Sequence, residues 1–501
     1  QGPNKRSAKT SSRAVVIKEA RTEKQKEMMN GESEWVCESA QRWAAEKALI
    51  PEARSLGSPF VSMPRREIAA AITKSGVGAK EAMRLWETAV ACDGRSSAHP
   101  MMLGYVPSAP TVEAIACDWM ATAACQNAPM RVAAPGMVDA EKAVIDWLAK
   151  TVGNFSSSSN ASGCFVSGGT LGTLSALYAA REAFRRGPKS PHRQNDAVSL
   201  RDDPSEEEED KTPAKKKRKI VSPNFKKLAV VASKEAHTCV AHAARILDVD
   251  LRVVEQKDWN GATLTRLLQN DDVFAVVASA GTTNTGRVED LRGLGQACAA
   301  KEGVWFHVDG AYGLGAAVSK KRRPLFDGIE LADSFVVDCH KWLAGPYDAA
   351  ALVYKNASAA VAANAHDAPF FKTLTKTTYD PCDYAIHLSR RPRGVPIWFS
   401  LAARGTSRYE ADVEATFAVA ETVRDFIQAS NFLRFISLNL TVLIFAVPAL
   451  PESSLRRWCQ ITWRNGDLFC QPTFLPDGDC VLRLCFVNPA TDPAAVIKVL
   501  A

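Results

Sequence analysis

The chain has 501 residues, 46% of them hydrophobic and 23% charged, with 29 Gly and 26 Pro. This composition excludes a wholly disordered chain, a collagen and a small disulfide scaffold, and suits one large enzyme subunit or two to three domains. The formal charge of +7 is too mild an excess to point to nucleic acid by itself.

Residues 1–33 are polar and basic and read as a flexible tail, with no apolar stretch of the secretory-signal kind. Between 34 and 115, Trp35, Trp43, Leu49, Ile68, Ile72, Met83, Trp86 and Val90 fall at helical spacing and predict an N-terminal helical segment. Residues 116–409 then alternate strand-like apolar runs with helical stretches. The predicted strands are 164–167, 228–232, 251–254, 274–279, 304–308, 334–337 and 350–354, with helices at 171–186, 236–247 and 291–301. That alternation predicts an α/β fold built on a large, mostly parallel sheet with both faces covered. Residues 410–501 open on a helix at 411–429, continue with strands at 440–447 and 480–486, and predict a small C-terminal α+β domain.

Residues 187–224 interrupt the large domain. They hold an acidic run at 206–210 and the basic run Lys215, Lys216, Lys217, Arg218 and Lys219, whose charges from 201 to 219 cancel. The stretch is too polar to pack and predicts a disordered surface insertion. The basic run reads either as a solvated loop or as a nuclear-import signal. No membrane span is expected, since the most apolar stretch, 438–450, is shorter than the ~20 residues a spanning helix needs. The 13 cysteines form no CxxC pair, so a zinc ribbon is not expected, and no metal is assigned to the site. Their odd number also argues against a complete disulfide framework and for a reducing compartment.

Five loops carry chemistry. Ser167-Gly168-Gly169-Thr170 joins a strand to a helix N-terminus, whose open N–H groups suit a phosphate. His237 opens the helix after the next strand, where such a residue is more often a cap or core group than a cofactor contact. Gly281-Thr282-Thr283-Asn284-Thr285-Gly286 offers hydroxyls in a turn. Asp309-Gly310-Ala311 ends a buried strand in a carboxylate, which needs a cationic partner such as a protonated ring nitrogen or simply caps a turn. Asp338-Cys339-His340-Lys341-Trp342 ends another, with a lysine placed where open α/β sheets bind ligands. A lysine flanked by apolar groups there suits imine formation with an aldehyde cofactor.

Taken in order, Ser167-Gly168-Gly169-Thr170, Ala280-Gly281-Thr282-Thr283-Asn284-Thr285-Gly286, His307-Val308-Asp309-Gly310-Ala311-Tyr312-Gly313 and Val337-Asp338-Cys339-His340-Lys341-Trp342 resemble the group II pyridoxal-phosphate-dependent amino acid decarboxylases, among them the aromatic amino acid and glutamate decarboxylases. The resemblance covers well over half the chain. It implies the aspartate-aminotransferase-like fold (type I of the pyridoxal-phosphate enzymes) and pyridoxal 5'-phosphate as cofactor. It implies a homodimer with active sites at the interface, the helices from Glu34 wrapping the partner and the loop around 360–380 reaching the other subunit's site. Lys341 is then the Schiff-base lysine and Asp309 the partner of the pyridinium nitrogen. His237 stacks on one ring face, Ala311 packs on the other, and Thr282 lies near the phenolic oxygen. Gly169, Thr170 and His340 hold the phosphate, with Asp338 at its edge. The implied reaction is loss of CO2 from an amino acid.

The implied substrate pocket includes Tyr105, Val106, Pro107 and Ser108, an apolar set that resembles the aromatic branch. The stretch containing Tyr379, Asp383, Ser389, Arg390, Arg391 and Trp398 is closer to the glutamate and cysteine-sulfinate branch, so the two signals conflict. Three positions depart from the family pattern: Leu171 follows the Gly-Thr turn in place of an acid, Cys339 replaces a proline, and residues 365–375 lack the loop tyrosine that returns a proton after CO2 loss. Tyr379 is the nearest replacement. Phe370 and Phe371 stand in that loop instead, and phenylalanine at the loop position goes with oxidative conversion to an aldehyde. The expectation is therefore a cytoplasmic amino acid decarboxylase acting on an aromatic substrate. The alternatives are an aldehyde synthase, a glutamate-type decarboxylase, or a catalytically silent binding protein entering the nucleus through its basic run. Nucleic acid is not an expected partner.

Overall fold

A computed structural model describes residues 31–49, 56, 66–91, 94–106, 109–155, 160–187, 227–365, 379–475 and 478–501. The insertion's basic run, the loop holding Phe370 and Phe371, and Pro107 and Ser108 lie outside the described residues. Backbone packing divides the chain into two units, Gln1–Met102 with Arg457–Phe469, and Leu103–Arg456 with Cys470–Ala501.

In the first unit, helix α1 (Gly31–Leu49) meets the π-helical turn Trp86–Val90 that continues helix α2 (Ala79–Leu85), the rings of Trp43 and Trp86 crossing edge to face at 5.4 Å. Such a pair adds roughly 0.5–1.5 kcal/mol beyond the area it buries.

The second unit is built on a seven-stranded sheet. Its strands are β1 (Ser162–Val166), β2 (Ala229–Ser233), β3 (Asp250–Val254), β4 (Val273–Ser279), β5 (Trp305–Asp309), β6 (Ser334–Asp338) and β7 (Ala350–Tyr354). They lie in the order β1-β7-β6-β5-β4-β2-β3. Only β7 runs against its neighbours; β2, β3, β4, β5 and β6 pair in parallel, and β1 shares their direction because both it and β6 oppose β7. Unbroken burial along β1, β2, β4, β6 and β7 explains why these strands read as continuous apolar runs rather than alternating ones. β3, at the edge, instead carries Asp250 and Arg252 and is partly exposed, which blunts further strand pairing. Helix α4 (Pro135–Thr151), helix α5 (Gly169–Arg186) and helix α6 (Thr238–Ile246) pack on these strands, and helix α3 (Val112–Ala124) precedes them in the chain.

A second, antiparallel sheet orders its strands β10-β11-β9-β8: β8 (Arg434–Asn439), β9 (Val442–Ala446), β10 (Gln471–Phe474) and β11 (Cys480–Cys485). The single strand expected at 440–447 is one arm of a hairpin. Leu440, at φ 49°, turns the chain between β8 and β9, and Thr441 is tied down by the Tyr312 hydroxyl. β8 escaped the sequence pattern because its residues are mostly half-buried and give little contrast. The long helix α8 (Thr406–Ala429) begins earlier than 411, and helix α7 (Val395–Arg404) precedes it. No helix among the described residues is long and apolar enough to cross a membrane.

Candidate active site

Because β1, β2, β4, β5 and β6 share one direction, the five loops that follow them leave the same edge of the sheet. They surround a cavity of about 570 Å³, within the range of small-molecule sites. Gly169, Thr170, His237, Thr282, Asp309, Ala311, Asp338, His340 and Lys341 all line it, as do Tyr105 and Val106. The site residues scattered over the sequence thus meet in one place.

Asp309 is the last residue of β5 and Asp338 the last of β6, so the register that pairs these strands also spaces the two carboxylates. Asp309 is buried, accepts the Ala311 N–H at 3.1 Å, and faces the Cys239 thiol at 3.7 Å. Burial pushes its carboxyl group above the ordinary range, opposed by the Ala311 amide and the charge on Lys341. The Lys341 amine donates to Asp338 Oδ2 at 2.8 Å. Burial drives this amine down, but the charge and hydrogen bond of Asp338 prevail, and the net shift is upward. His340 accepts the Ala349 N–H through Nδ1 at 3.1 Å and sets Nε2 3.5 Å from Asp338; burial pulls its imidazole below the usual value.

Helix α5 begins two residues before the expected 171, so the N–H groups of Gly169, Thr170 and Leu171 form its opening turn. Gly168 precedes it without any side-chain cap, leaving those donors for an anion. A Cβ on Gly169 would meet Ala311 Cβ at 3.0 Å and Asp338 Oδ1 at 3.3 Å, so glycine is needed for this close approach. His237 both lines the cavity and caps helix α6, its Nδ1 accepting the Cys239 N–H at 3.2 Å. Thr282 is buried, and its hydroxyl meets that of Thr285 at 2.7 Å; Thr285 in turn donates to Glu235. Gly281, at φ 107°, makes the turn that lets Thr282 face inward. The ring of Tyr312, which lines the cavity, stacks in series with those of Trp342 and Phe417 at 5.2 and 5.5 Å.

Tyr379 requires a correction. It does not line the cavity: its hydroxyl donates to the Gly163 carbonyl at 2.9 Å, and its ring packs against Tyr384 within a buried cluster. A phenol committed to a backbone carbonyl beside strand β1 is a structural group, so the catalytic assignment is withdrawn. Leu171 lies half-buried against an apolar cluster while its backbone stays in the helix's first turn. The conflicting stretch near 390 is also taken up by the frame. Arg390 forms a two-pronged pair with Glu141 in the core, and Arg391 pairs with Asp118 near the surface.

The sequence reading missed Cys239, Tyr312, Tyr347 and Arg483. Tyr347 lines the cavity with its ring 4.7 Å from that of His340. Arg483 is buried in β11 and donates to the Tyr105 carbonyl at 2.7 Å, while its Nε and Nη2 have no hydrogen-bond partner. A buried arginine in a strand was the available signal. Cys239 gave none, because only the fold brings it to Asp309.

The residues fit pyridoxal phosphate. A Cβ-free cradle with open N–H groups suits the phosphate, a buried carboxylate suits a protonated ring nitrogen, and a lysine stands beside the unpartnered Asp338 Oδ1.

Comparison with known proteins agrees. A family described as "Pyridoxal-dependent decarboxylase conserved domain" matches residues 84–206 and 207–446. The aromatic-L-amino-acid decarboxylase of Bacillus atrophaeus is 26% identical over 448 residues, covering 87% of each protein. The phenylacetaldehyde synthase of Arabidopsis thaliana is 24% identical, covering 72% of each. The solved structure of Oryza sativa TDC with PLP and tryptamine superposes with a TM-score of 0.79 at 20% identity, covering 94% of this chain and 97% of that one, and so shares the fold.

Proposed function

This chain belongs to the pyridoxal-dependent decarboxylase family, a group of pyridoxal-phosphate-dependent carboxy-lyases, and we propose that its substrate is an aromatic L-amino acid converted to the amine and CO2. The observation that carries this reading is the convergence of Lys341, Asp309 and the glycine cradle on one cavity that, beside its polar lining, also presents Tyr105, Val106, Leu171, Tyr312 and Tyr347. An aromatic ring is stabilised against such walls. No arginine is among the described residues lining the cavity, so an acidic substrate side chain would lack a bidentate partner there.

When bound, pyridoxal phosphate supplies the electron sink that lets the carboxylate leave. The chain's residues do the rest. Lys341 would hold the cofactor's aldehyde carbon, and Asp309 would keep a proton on the ring nitrogen. His237 and Ala311 would cover the two ring faces, and Thr282 would face the phenolic oxygen. Gly169, Thr170 and His340 would receive the phosphate, with Asp338 restraining Lys341 at its edge. Arg483 would hold the Tyr105 loop against the substrate.

A second reading, release of an aldehyde in air, rests on the sequence 365–375, which has phenylalanine where a proton-returning tyrosine is expected. Similarity to a phenylacetaldehyde synthase supports it. The catalytically silent reading has no observation in its favour.

A homodimer is supported by Trp119, Met120 and Trp398, large apolar side chains left exposed on the packed helices α3 and α7. We place the protein in the cytoplasm, with the run Lys215 to Lys219 as the group a nuclear-import factor would recognise.

The test is a product assay on protein reconstituted with pyridoxal phosphate in air, offering dopa, tyrosine, tryptophan, phenylalanine and glutamate separately. CO2 with an equal amount of one aromatic amine supports the first reading. Aldehyde with peroxide supports the second, and turnover of glutamate alone overturns the aromatic assignment.

A further inference from the structure

Asp309 is only 8% exposed, and its hydrogen-bond partners are the Ala311 amide and the Cys239 thiol, neither of them a cation. A carboxylate so desolvated is stabilised by a positive charge placed against it. In the reading above, the cofactor's protonated ring nitrogen is that charge. When the cofactor is absent, the side chains around Asp309 form a different kind of site. One nitrogen of His237, the sulfur of Cys239 and an oxygen of Asp309 all lie within 4.8 Å of one another.

We propose that the cofactor-free chain binds one thiophilic divalent cation, of the Zn2+ class, through His237, Cys239 and Asp309, and that this cation and pyridoxal phosphate exclude each other. Nitrogen, sulfur and oxygen from three side chains, with an open fourth position for water, is a donor set that suits zinc. The Cys239 Sγ to Asp309 Oδ2 distance of 3.7 Å is also near what one tetrahedral ion requires. Ligand bonds of ~2.3 Å to sulfur and ~2.0 Å to oxygen put those two atoms roughly 3.5 Å apart.

Binding is an exchange of cations without redox change. The sulfur–metal bond forms as the thiol proton leaves to solvent. His237 coordinates through one ring nitrogen, at the exposed start of helix α6. Cys239 is the one cysteine among the described lining residues, which makes it the source of the thiophilic character. Exclusion follows from shared ligands. Asp309 cannot serve both the ring nitrogen and the metal, nor can His237 both cover the ring and coordinate. The exclusion rests on the cofactor reading above; the metal site rests on the geometry alone.

The experiment uses the full chain stripped of cofactor and titrated with Co2+ as the probe. We expect one Co2+ per chain, a sulfur-to-cobalt charge-transfer absorbance, and stoichiometric release of the metal when pyridoxal phosphate is added. Cys239→Ser keeps a donor to Asp309, so it should fold with an unchanged thermal midpoint, yet lose the band and bind Co2+ at least about tenfold more weakly. A band that persists in Cys239→Ser, no band in the parent chain, or simultaneous binding of Co2+ and pyridoxal phosphate overturns the proposal. Capture of pyridoxal phosphate is followed separately by its Lys341-dependent absorbance. Its failure in metal-free protein would sink the cofactor reading and the exclusion, while capture without any cobalt band would sink the metal site alone.

Discussion

Asp338 holds the Lys341 amine at 2.8 Å through one carboxylate oxygen, while its other oxygen is buried without a hydrogen-bond partner. The pair sets the charge of the residue proposed to capture the cofactor. Burial alone pushes the amine down, and Asp338 reverses the direction.

Asp338→Asn should therefore lower the pH at which Lys341 becomes nucleophilic, since only the neutral amine attacks a carbonyl. The pH profile of pyridoxal phosphate capture, followed by absorbance, should move to lower pH by about one unit or more. A profile that stays in place would show that Asp338 does not control the lysine.

Gly169→Val tests the cradle. Even its Cβ would stand 3.0 Å from Ala311 Cβ and 3.3 Å from Asp338 Oδ1, and the two methyl groups would cover the open N–H donors. Affinity for pyridoxal phosphate should fall at least about tenfold, equivalent to roughly 1.4 kcal/mol. Equilibrium dialysis against the cofactor checks this.

Glu141→Gln tests the frame behind the site. Glu141 and Arg390 are both buried; the carboxylate accepts two hydrogen bonds from the guanidinium and a third from the Gly394 N–H at 2.7 Å. Loss of its charge leaves the guanidinium uncompensated, and such a break costs about 3–5 kcal/mol. Denaturant unfolding should show that loss, with Arg390 rather than the cavity as its origin.

His307 predicts a pH dependence of stability. It is fully buried between Ser334 and Thr173, and burial lowers its imidazole from 6.5 to about 3. Between those values the unfolded chain takes up a proton that the folded chain refuses, so stability falls as pH drops below about 6.5. His307→Gln should make the slope of unfolding free energy shallower by up to roughly 1.4 kcal/mol per pH unit in that window. Identical slopes in parent and variant would contradict it.

The convergent loops were legible because each combines a strand end with an unusual residue. Asp309 and Lys341 each follow a run of apolar strand residues, and Gly168-Gly169 precedes a helical stripe. Residues acting through distant partners were not legible in the same way. Tyr379 looked available for chemistry in the sequence, yet its hydroxyl is spent on Gly163, far away in the chain. Arg390 looked like part of a substrate pattern, and its partner Glu141 lies 249 positions away.

The sequence by itself determined the alternation of strand and helix, the order of the five loops and the chemical character of each. These depend on local periodicity and on residue type, which a linear reading retains. Only the tertiary structure decided that the Cys239 thiol meets Asp309, that Arg483 holds the Tyr105 carbonyl, and that Tyr379 stands behind strand β1 instead of in the cavity. Each of those contacts joins residues more than sixty positions apart. Strand order and register set such contacts, and they arise from burial of the whole sheet rather than from any one segment.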